Sequence, residues 1–351
     1  MEAAKKLVIN IVTWNSARYL PNLFESIDAQ TSGDFTVTII DNASADDTLP
    51  WLQESRPGVA VLRNFRNQGF ARAHNQGIAL ARSRWEADHD LKDRYILLLN
   101  PDTVLDATCI AQLISFMDTH PDVDIAGPKL LRAVRVMDME RDEEEIERSS
   151  IIDSTGIAIS KSRKVTDRGA GEEDVGRFDQ VEPFGISGAA MLIRASAISD
   201  VALGEDEVFD EDFFAYKEDA DLSWRARLLG KRIALIPHAL AWHCRTAKKS
   251  DKTGIQGALS GQQGRSSLIN RYSRRNQIWM EWKNDDTVSR LFHLPWRIPE
   301  LLLRLGALII FPSHLHAFIE AWMGYGRMQT KRKALMARRK ATPEEMRKWF
   351  V

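Results

Sequence analysis

The sequence predicts an α/β protein built on a mostly parallel sheet with flanking helices, followed by a helical tail. Three observations predict it. Short β-branched or apolar runs recur at residues 6–13, 35–40, 59–63 and 95–99; segments with apolar residues at helical spacing separate them; and beyond residue 268 tryptophans and a basic excess replace that alternation.

KLVINIVT (6–13) and FTVTII (35–40) bracket RYLPNLFESIDAQ (18–30), whose apolar spacing makes the trio a βαβ unit. VAVLR (59–63) is the third strand, the alanine-rich stretch 71–84 a helix, and YILLL (95–99) the fourth strand. A helix follows at 107–119, then VDIAG (123–127), a strand expected to close at Pro128. The acidic run 138–148 is expected as a solvated helix or loop insertion, and the Gly-rich, charged stretch 160–177 is assigned no chemistry. AAMLIR (189–194) and IALI (233–236) resume the strands around a helix at 219–229. Residues 1–250 form the expected catalytic domain, 251–267 a Gly-, Ser- and Gln-rich flexible loop or lid, and 268–351 a helical, amphipathic and basic segment.

At 351 residues and a formal net charge of −1, the chain lacks the basic excess of a general nucleic-acid binder, so no nucleic-acid partner is expected. Its two cysteines, Cys109 and Cys244, stand in no zinc-like spacing and suit a reducing, cytoplasmic setting. No apolar run reaches the roughly 18–20 residues of a spanning helix. The tail punctuates PELLLRLGALIIFP (299–312) and a basic stretch at 327–340 with Trp279, Trp282, Trp296, Trp322 and Trp349. That mixture suits contact with the inner face of a membrane; it equally suits packing on the catalytic domain or on a second subunit of a homo-oligomer.

Four loops follow predicted strands and so open on the carboxyl edge of the sheet, where open α/β folds bind ligands. Thr13-Trp14-Asn15-Ser16 reads as a helix cap or a ligand loop. Asp41, at the end of the second strand, can accept hydrogen bonds from a nucleobase or a ribose hydroxyl, while Ser44 to Asp47 read as turn residues. Asn67-Gln68-Gly69 precedes a small-residue helix, whose backbone N–H groups can approach a diphosphate. Asn100-Pro101-Asp102 holds two polar side chains on a turn stiffened by proline, an arrangement that suits Mg²⁺ or Mn²⁺ bound together with a diphosphate, or an Asx-turn. No GxGxxG or P-loop occurs among these loops.

The ordered set IVTWNSARYLPNLFESIDAQ, IIDNASADDT, NQGFARAHNQG, YILLLNPDTVL, FGISGAAMLIR, FDEDFFAYKEDADLSWRARLLG and PHALAWHCRT resembles family 2 glycosyltransferases over about residues 6–245, most closely the bacterial rhamnosyltransferase branch. The resemblance implies a GT-A fold, which is a Rossmann-like, mostly parallel sheet. It also implies a nucleotide-diphosphate sugar donor, a divalent metal (Mg²⁺ or Mn²⁺), inversion at the anomeric carbon, and by branch dTDP-L-rhamnose with a glycan or lipid-linked saccharide as acceptor. By motif, Thr13, Asn15, Asp41, Asn67 and Gly69 would hold the nucleotide and Asp102 the metal. Asn100 replaces the motif's first acid and joins the donor contacts.

In the second half, Gly185-Ile186-Ser187-Gly188 is a small-residue turn that would let donor or acceptor approach the backbone. Glu218 and Asp219 open a helix whose stripe Leu222, Ala226 and Leu229 faces the core. At 100° per residue Asp219 lies on that stripe and Asp221 is turned about 200° away, so Asp219 is the candidate general base. The family's ED-type motif matches the pair. His243 reads as a structural histidine from its surroundings, and as a third metal ligand from the resemblance. Two other classes compete: a sugar-1-phosphate nucleotidyltransferase, for which VTWNSARYL offers only Arg18 where a basic Gly-rich loop is needed, and a non-catalytic sugar-nucleotide-binding protein.

Overall fold

A computed structural model describes residues 5–85, 91–138, 143–244, 267–310 and 312–351. Eleven strands are described: β1 Leu7–Thr13, β2 Phe35–Asp41, β3 Ala60–Arg63, β4 Tyr95–Leu99, β5 Thr103–Leu105, β6 Val123–Asp138, β7 Glu143–Ser154, β8 Ile157–Ile159, β9 Val165–Asp167, β10 Ala190–Arg194 and β11 Arg232–His243. The helices are α1 Leu20–Asp28, α2 Thr48–Ser55, α3 Gly69–Trp85, α4 Cys109–Thr119, α5 Ile198–Val201 and α6 Glu218–Leu228. The tail adds α7 Ser267–Asn284, α8 Thr287–Phe292, α9 Leu294–Ile310, α10 Pro312–Met323, α11 Tyr325–Ala337 and α12 Pro343–Arg347.

Nine strands make one sheet in the order β3-β2-β1-β4-β10-β6-β11-β5, with β7 paired to β6. β4 lies near its middle, and all five of its residues are buried, which is why it reads as an unbroken apolar run. β1 pairs in parallel with β2 and β4, whereas β10 runs antiparallel to both β4 and β6. The register places Thr13 beside Asp41, Ile11 beside Leu99, and Leu99 beside Ala190. The exits of β1, β2 and β4 and the entry of β10 therefore share one edge.

Packing explains the layers. α1 and α4 cover one sheet face through Leu20, Phe24, Ile110 and Leu113; α3 and α6 cover the other through Ile78, Ala81, Leu222 and Ala226. A third core joins Ile157, Phe213 and Trp224 to Trp279, Met280, Met328, Leu335 and Phe350 of the tail. Burying a side chain such as Phe213 contributes roughly 2–3 kcal/mol, so the tail is fused to the sheet body.

Three expectations need correction. β6 passes through Pro128, which pairs with Ile236 of β11 just before a bulge, while β10 pairs no further than Ala126. The missing N–H thus falls where the ladder is already thinning. The acidic run is a strand: within the described residues β7 returns antiparallel along β6, with Glu147 opposite Val134 and Glu145 opposite Val136. On the face that carries exposed Val134, Val136 and Glu147 the arm meets solvent and tolerates charge, so acidity did not mark it as helical. IALI is only the start of β11, which continues to His243 and pairs His243 with Thr103 of β5, a strand not foreseen. The expected lid at 251–267 lies, but for Ser267, outside the described residues.

Candidate active site

The residues expected on the donor side gather where β1 and β2 end. Thr13 Oγ1 donates to Asp41 Oδ1 at 3.0 Å, Ser44 Oγ to the same oxygen at 2.6 Å, and Ser44 N to Asp41 Oδ2 at 3.1 Å. Buried Asp41 is thereby oriented by its own loop. Asn15, at φ 52°, accepts from Ala45 N at 2.8 Å, while its own N–H donates to Ser44 Oγ at 2.9 Å. Its exposed side chain ties the two loops together.

Asn67 Oδ1 accepts the N–H of Gly69 at 2.8 Å, an Asx turn that leads into α3. Gly69 has φ +82°, and a Cβ there would lie 2.5 Å from Phe214 O, so only glycine fits. Buried Asn42, absent from the motif reading, donates to Gly69 O at 3.0 Å and accepts from Asn64 and Gln68.

The turn after β4 is fixed from both sides. Asn100 N donates to Ala189 O at 2.9 Å, Thr103 N to Asn100 O at 3.2 Å, and Cys244 N to Asp102 O at 2.8 Å. Both Asn100 and Asp102 are half-buried. His243 Nε2 faces Asp102 Oδ1 at 3.2 Å, and its Nδ1 lies 2.9 Å from Oδ2 of buried Asp153 on β7. Burial works to lower the His243 pKa, but the two carboxylates outweigh it and push it up to about 9.

These residues fit a divalent cation. Nε2 of His243 is buried and makes no hydrogen bond, an orphan beside a carboxylate, and with Asp153 on Nδ1 it is Nε2 that would face a cation. Among the described residues no group of three His, Cys, Asp or Glu side chains converges on one point, so Asp102 and His243 are the pair available.

Across the same edge, Asp219 Oδ2 accepts the N–H of Gly188 at 3.0 Å and its Oδ1 that of Ala220 at 2.7 Å. Gly188 leads into Ala189, the residue that anchors Asn100. Two hydrogen bonds and one peptide therefore connect Asp219 to the Asn100–Asp102 turn. Burial raises the Asp219 pKa more than the two N–H groups lower it. Neighbouring Glu218 is buried, its Oε2 has no hydrogen-bond partner among the described residues, and burial with the adjacent Asp219 lifts it well above the carboxylate range.

Ser187 Oγ accepts the N–H of Ala189 at 3.4 Å and starts β10. Gly185 serves packing: a Cβ there would lie 2.2 Å from Ser223 Oγ of α6. Asp221 is not turned away from the protein. It is fully buried against Arg225 at 3.0 Å, Lys283 at 2.9 Å and Asn284 at 2.8 Å. The helical wheel assumed one covered face, but α7 covers the second.

Before Glu218 the backbone is strained: Phe214, Tyr216 and Lys217 have φ of 65°, 74° and 73°. Asn276 of α7 holds this loop, its Nδ2 donating to the carbonyls of Phe213, Ala215 and Tyr216 at 2.8–2.9 Å. Arg275 donates to the carbonyls of Asp212 and Phe213. Neither tail residue carried a sequence signal beyond its type.

Residues 8–197 match the family described as "Glycosyl transferase family 2". A "PGL/p-HBAD biosynthesis glycosyltransferase" of Mycobacterium tuberculosis is 29% identical over 135 residues, which cover 37% of this chain and 49% of that protein. An uncharacterized glycosyltransferase of Nostoc sp. is 35% identical over 91 residues, 25% of this chain and 28% of the other. The chain thus spans about half the length or less of these curated relatives. Among solved structures, S. aureus TarS 1–349 in complex with UDP-GlcNAc aligns with TM-score 0.50 and 14% identity, over 99% of this chain and 93% of that one. GalNAc-T7 with UDP, GalNAc and Mn²⁺ aligns with TM-score 0.51 and 13% identity, over 86% and 58%. These likenesses show the GT-A fold.

Proposed function

Because the chain belongs to glycosyl transferase family 2, we propose that it is an inverting glycosyltransferase using a nucleoside-diphosphate sugar donor. The observation that carries this reading is the shared edge that links Asp219 through Gly188 and Ala189 to the Asn100–Asp102 turn. Thr13, Asn15, Asp41, Asn67 and Gly69 line the donor side, with Asn100 beside the sugar. Ser187, Gly188 and Glu218 border the reaction space, and Gly185 supports it through α6.

Asp219 takes the proton of the acceptor hydroxyl as its oxygen bonds to the anomeric carbon. The bond from that carbon to the diphosphate breaks, and the diphosphate leaves with the electron pair; attack from the opposite side inverts the centre. A bound Mg²⁺ or Mn²⁺, held by Asp102 and His243, would supply positive charge for the departing diphosphate. The ordered motifs favour dTDP-L-rhamnose as donor and a glycan or lipid-linked saccharide as acceptor, which places the enzyme in cell-surface polysaccharide synthesis at the inner face of the cytoplasmic membrane. The two aligned structures hold UDP with GalNAc and UDP-GlcNAc, which supports a pyrimidine nucleoside diphosphate.

A panel of nucleotide sugars tests this by thermal shift with and without Mn²⁺, since a ligand of the native state raises its melting point, followed by nucleoside-diphosphate release with acceptor. Donor-dependent stabilisation and diphosphate release are expected. Pyrophosphate release from a nucleoside triphosphate would replace this reading by the nucleotidyltransferase, and binding without turnover by the non-catalytic protein.

A further inference from the structure

Helix α9 is built inside out. Two of its three charged residues, Arg297 and Arg304, turn toward the protein, where Arg297 pairs with Glu281 at 3.0 Å and Asp285 at 2.7 Å, and Arg304 with Glu281 at 2.7 Å; the third, Glu300, is paired with Arg304 at 2.9 Å. Its apolar residues turn outward: Ile298 is 51% and Leu302 63% exposed, and Leu301, Leu303 and Leu305 are exposed with them. A helix on a water-facing surface has the opposite polarity, and an uncovered apolar face of this extent marks an interaction surface.

The rim of this face is cationic. Arg347 lies over the exposed ring of Phe292 at 4.8 Å, and Lys161 over the half-exposed Trp296 at 5.2 Å; neither makes an ion pair among the described residues. Buried His293, beneath Trp296, records the same field: burial first, then Arg163, Lys161, Arg347 and Arg297, lower its pKa to about 4. No helix among the described residues is long and apolar enough to cross a membrane.

From this geometry we infer that the outward face of α8 and α9 docks on an anionic lipid surface, with the leucines at the acyl boundary and Lys161 and Arg347 at the headgroups. An apolar helix face with aromatic and cationic borders is the pattern of an element lying in the membrane interface. A second copy fits less well, because the same cationic rim would stand on both sides of a two-fold contact and offer itself no anionic partner. The inference deepens the membrane placement proposed above and is independent of the donor site, so its failure leaves the transferase reading to its own assay.

Flotation of the full chain with phosphatidylcholine vesicles, and with mixed phosphatidylcholine and phosphatidylglycerol vesicles, tests it. The chain is expected to float with the mixed vesicles and to bind the neutral ones at least about fivefold more weakly. Ile298→Glu with Leu302→Glu should abolish flotation while leaving melting temperature and donor binding unchanged. Lys161→Glu with Arg347→Glu should weaken binding to the anionic vesicles alone. Failure of the wild-type chain to float with either vesicle overturns the inference, as does flotation of the double-glutamate variant at wild-type level. A dimer in sedimentation that this variant splits, with no vesicle binding by the wild type, would assign the face to a second copy instead.

Discussion

The side chain of His243 is held between two carboxylates, and the partner that fixes it, Asp153, comes from a hairpin strand 90 residues away in sequence. Asp153 sits 2.9 Å from Nδ1, which turns Nε2 toward Asp102 at 3.2 Å. Partners of a ligating histidine typically change metal affinity by about 10–100-fold. Asp153→Ala should therefore weaken Mn²⁺ affinity by that range in titration calorimetry and shift the bound Mn²⁺ resonance, with Asp153→Asn intermediate. Unchanged affinity in both variants would remove Asp153 from this role.

A second expectation concerns pH. Burial leads the causes that raise Asp219 in the folded protein. A base works only unprotonated, so kcat/KM should fall as pH drops through a value above that of an ordinary aspartate. Glu218 is raised further, by burial and then by Asp219. Protonation of such a group is tighter in the folded than in the unfolded chain, so folding loses stability as pH rises from the ordinary carboxylate value through the raised one. Melting of Glu218→Gln against pH should show a gain at neutral pH that vanishes on acidification; a pH-independent difference would contradict it.

The buried ionic cluster under α6 should behave oppositely. Asp210 is paired with Lys283 and, at 2.5 Å, with Lys331; burial alone would raise it, but the two ammonium groups hold it well below the carboxylate range. Its stabilisation is present above the ordinary carboxylate pKa and is lost as pH falls toward the depressed one. Lys283→Met leaves buried Asp210 and Asp221 short of a cation and should destabilise by about 3–5 kcal/mol in urea unfolding. A loss below 1 kcal/mol, on the order of a surface pair, would count against the cluster.

Asn276 gives the tail a stake in the reaction. Its three hydrogen bonds hold the positive-φ loop that delivers Glu218 and Asp219. Asn276→Ala should cost about 1–3 kcal/mol, because it removes the side chain that ties the loop's part-buried carbonyls to α7, and should lower kcat more than it raises the donor KM. Equal loss of both would mean the residue serves folding alone.

What the sequence disclosed follows its local physics. β1 and β2 were readable from their short β-branched runs, and β4 because burial on both faces writes a continuous apolar run. The helix that Glu218 and Asp219 open was readable from its apolar spacing. Asp153 and Asn276 were not, since each is defined by a contact 90 or about 60 residues distant. The burial of Asp221 escaped the helical wheel for the same reason: its cover, α7, begins beyond residue 266. Pro128 and the glutamates of β7 misled because both are strand-averse types, at positions where the ladder thins or the strand is solvated.

Asp219→Asn tests the central claim most directly, with donor binding and single-turnover sugar transfer measured on the same preparation. The account predicts donor and Mn²⁺ affinity within about threefold of wild type and a transfer rate reduced by at least about 10²-fold, the usual contribution of a general base. Near-normal transfer by this variant would contradict it.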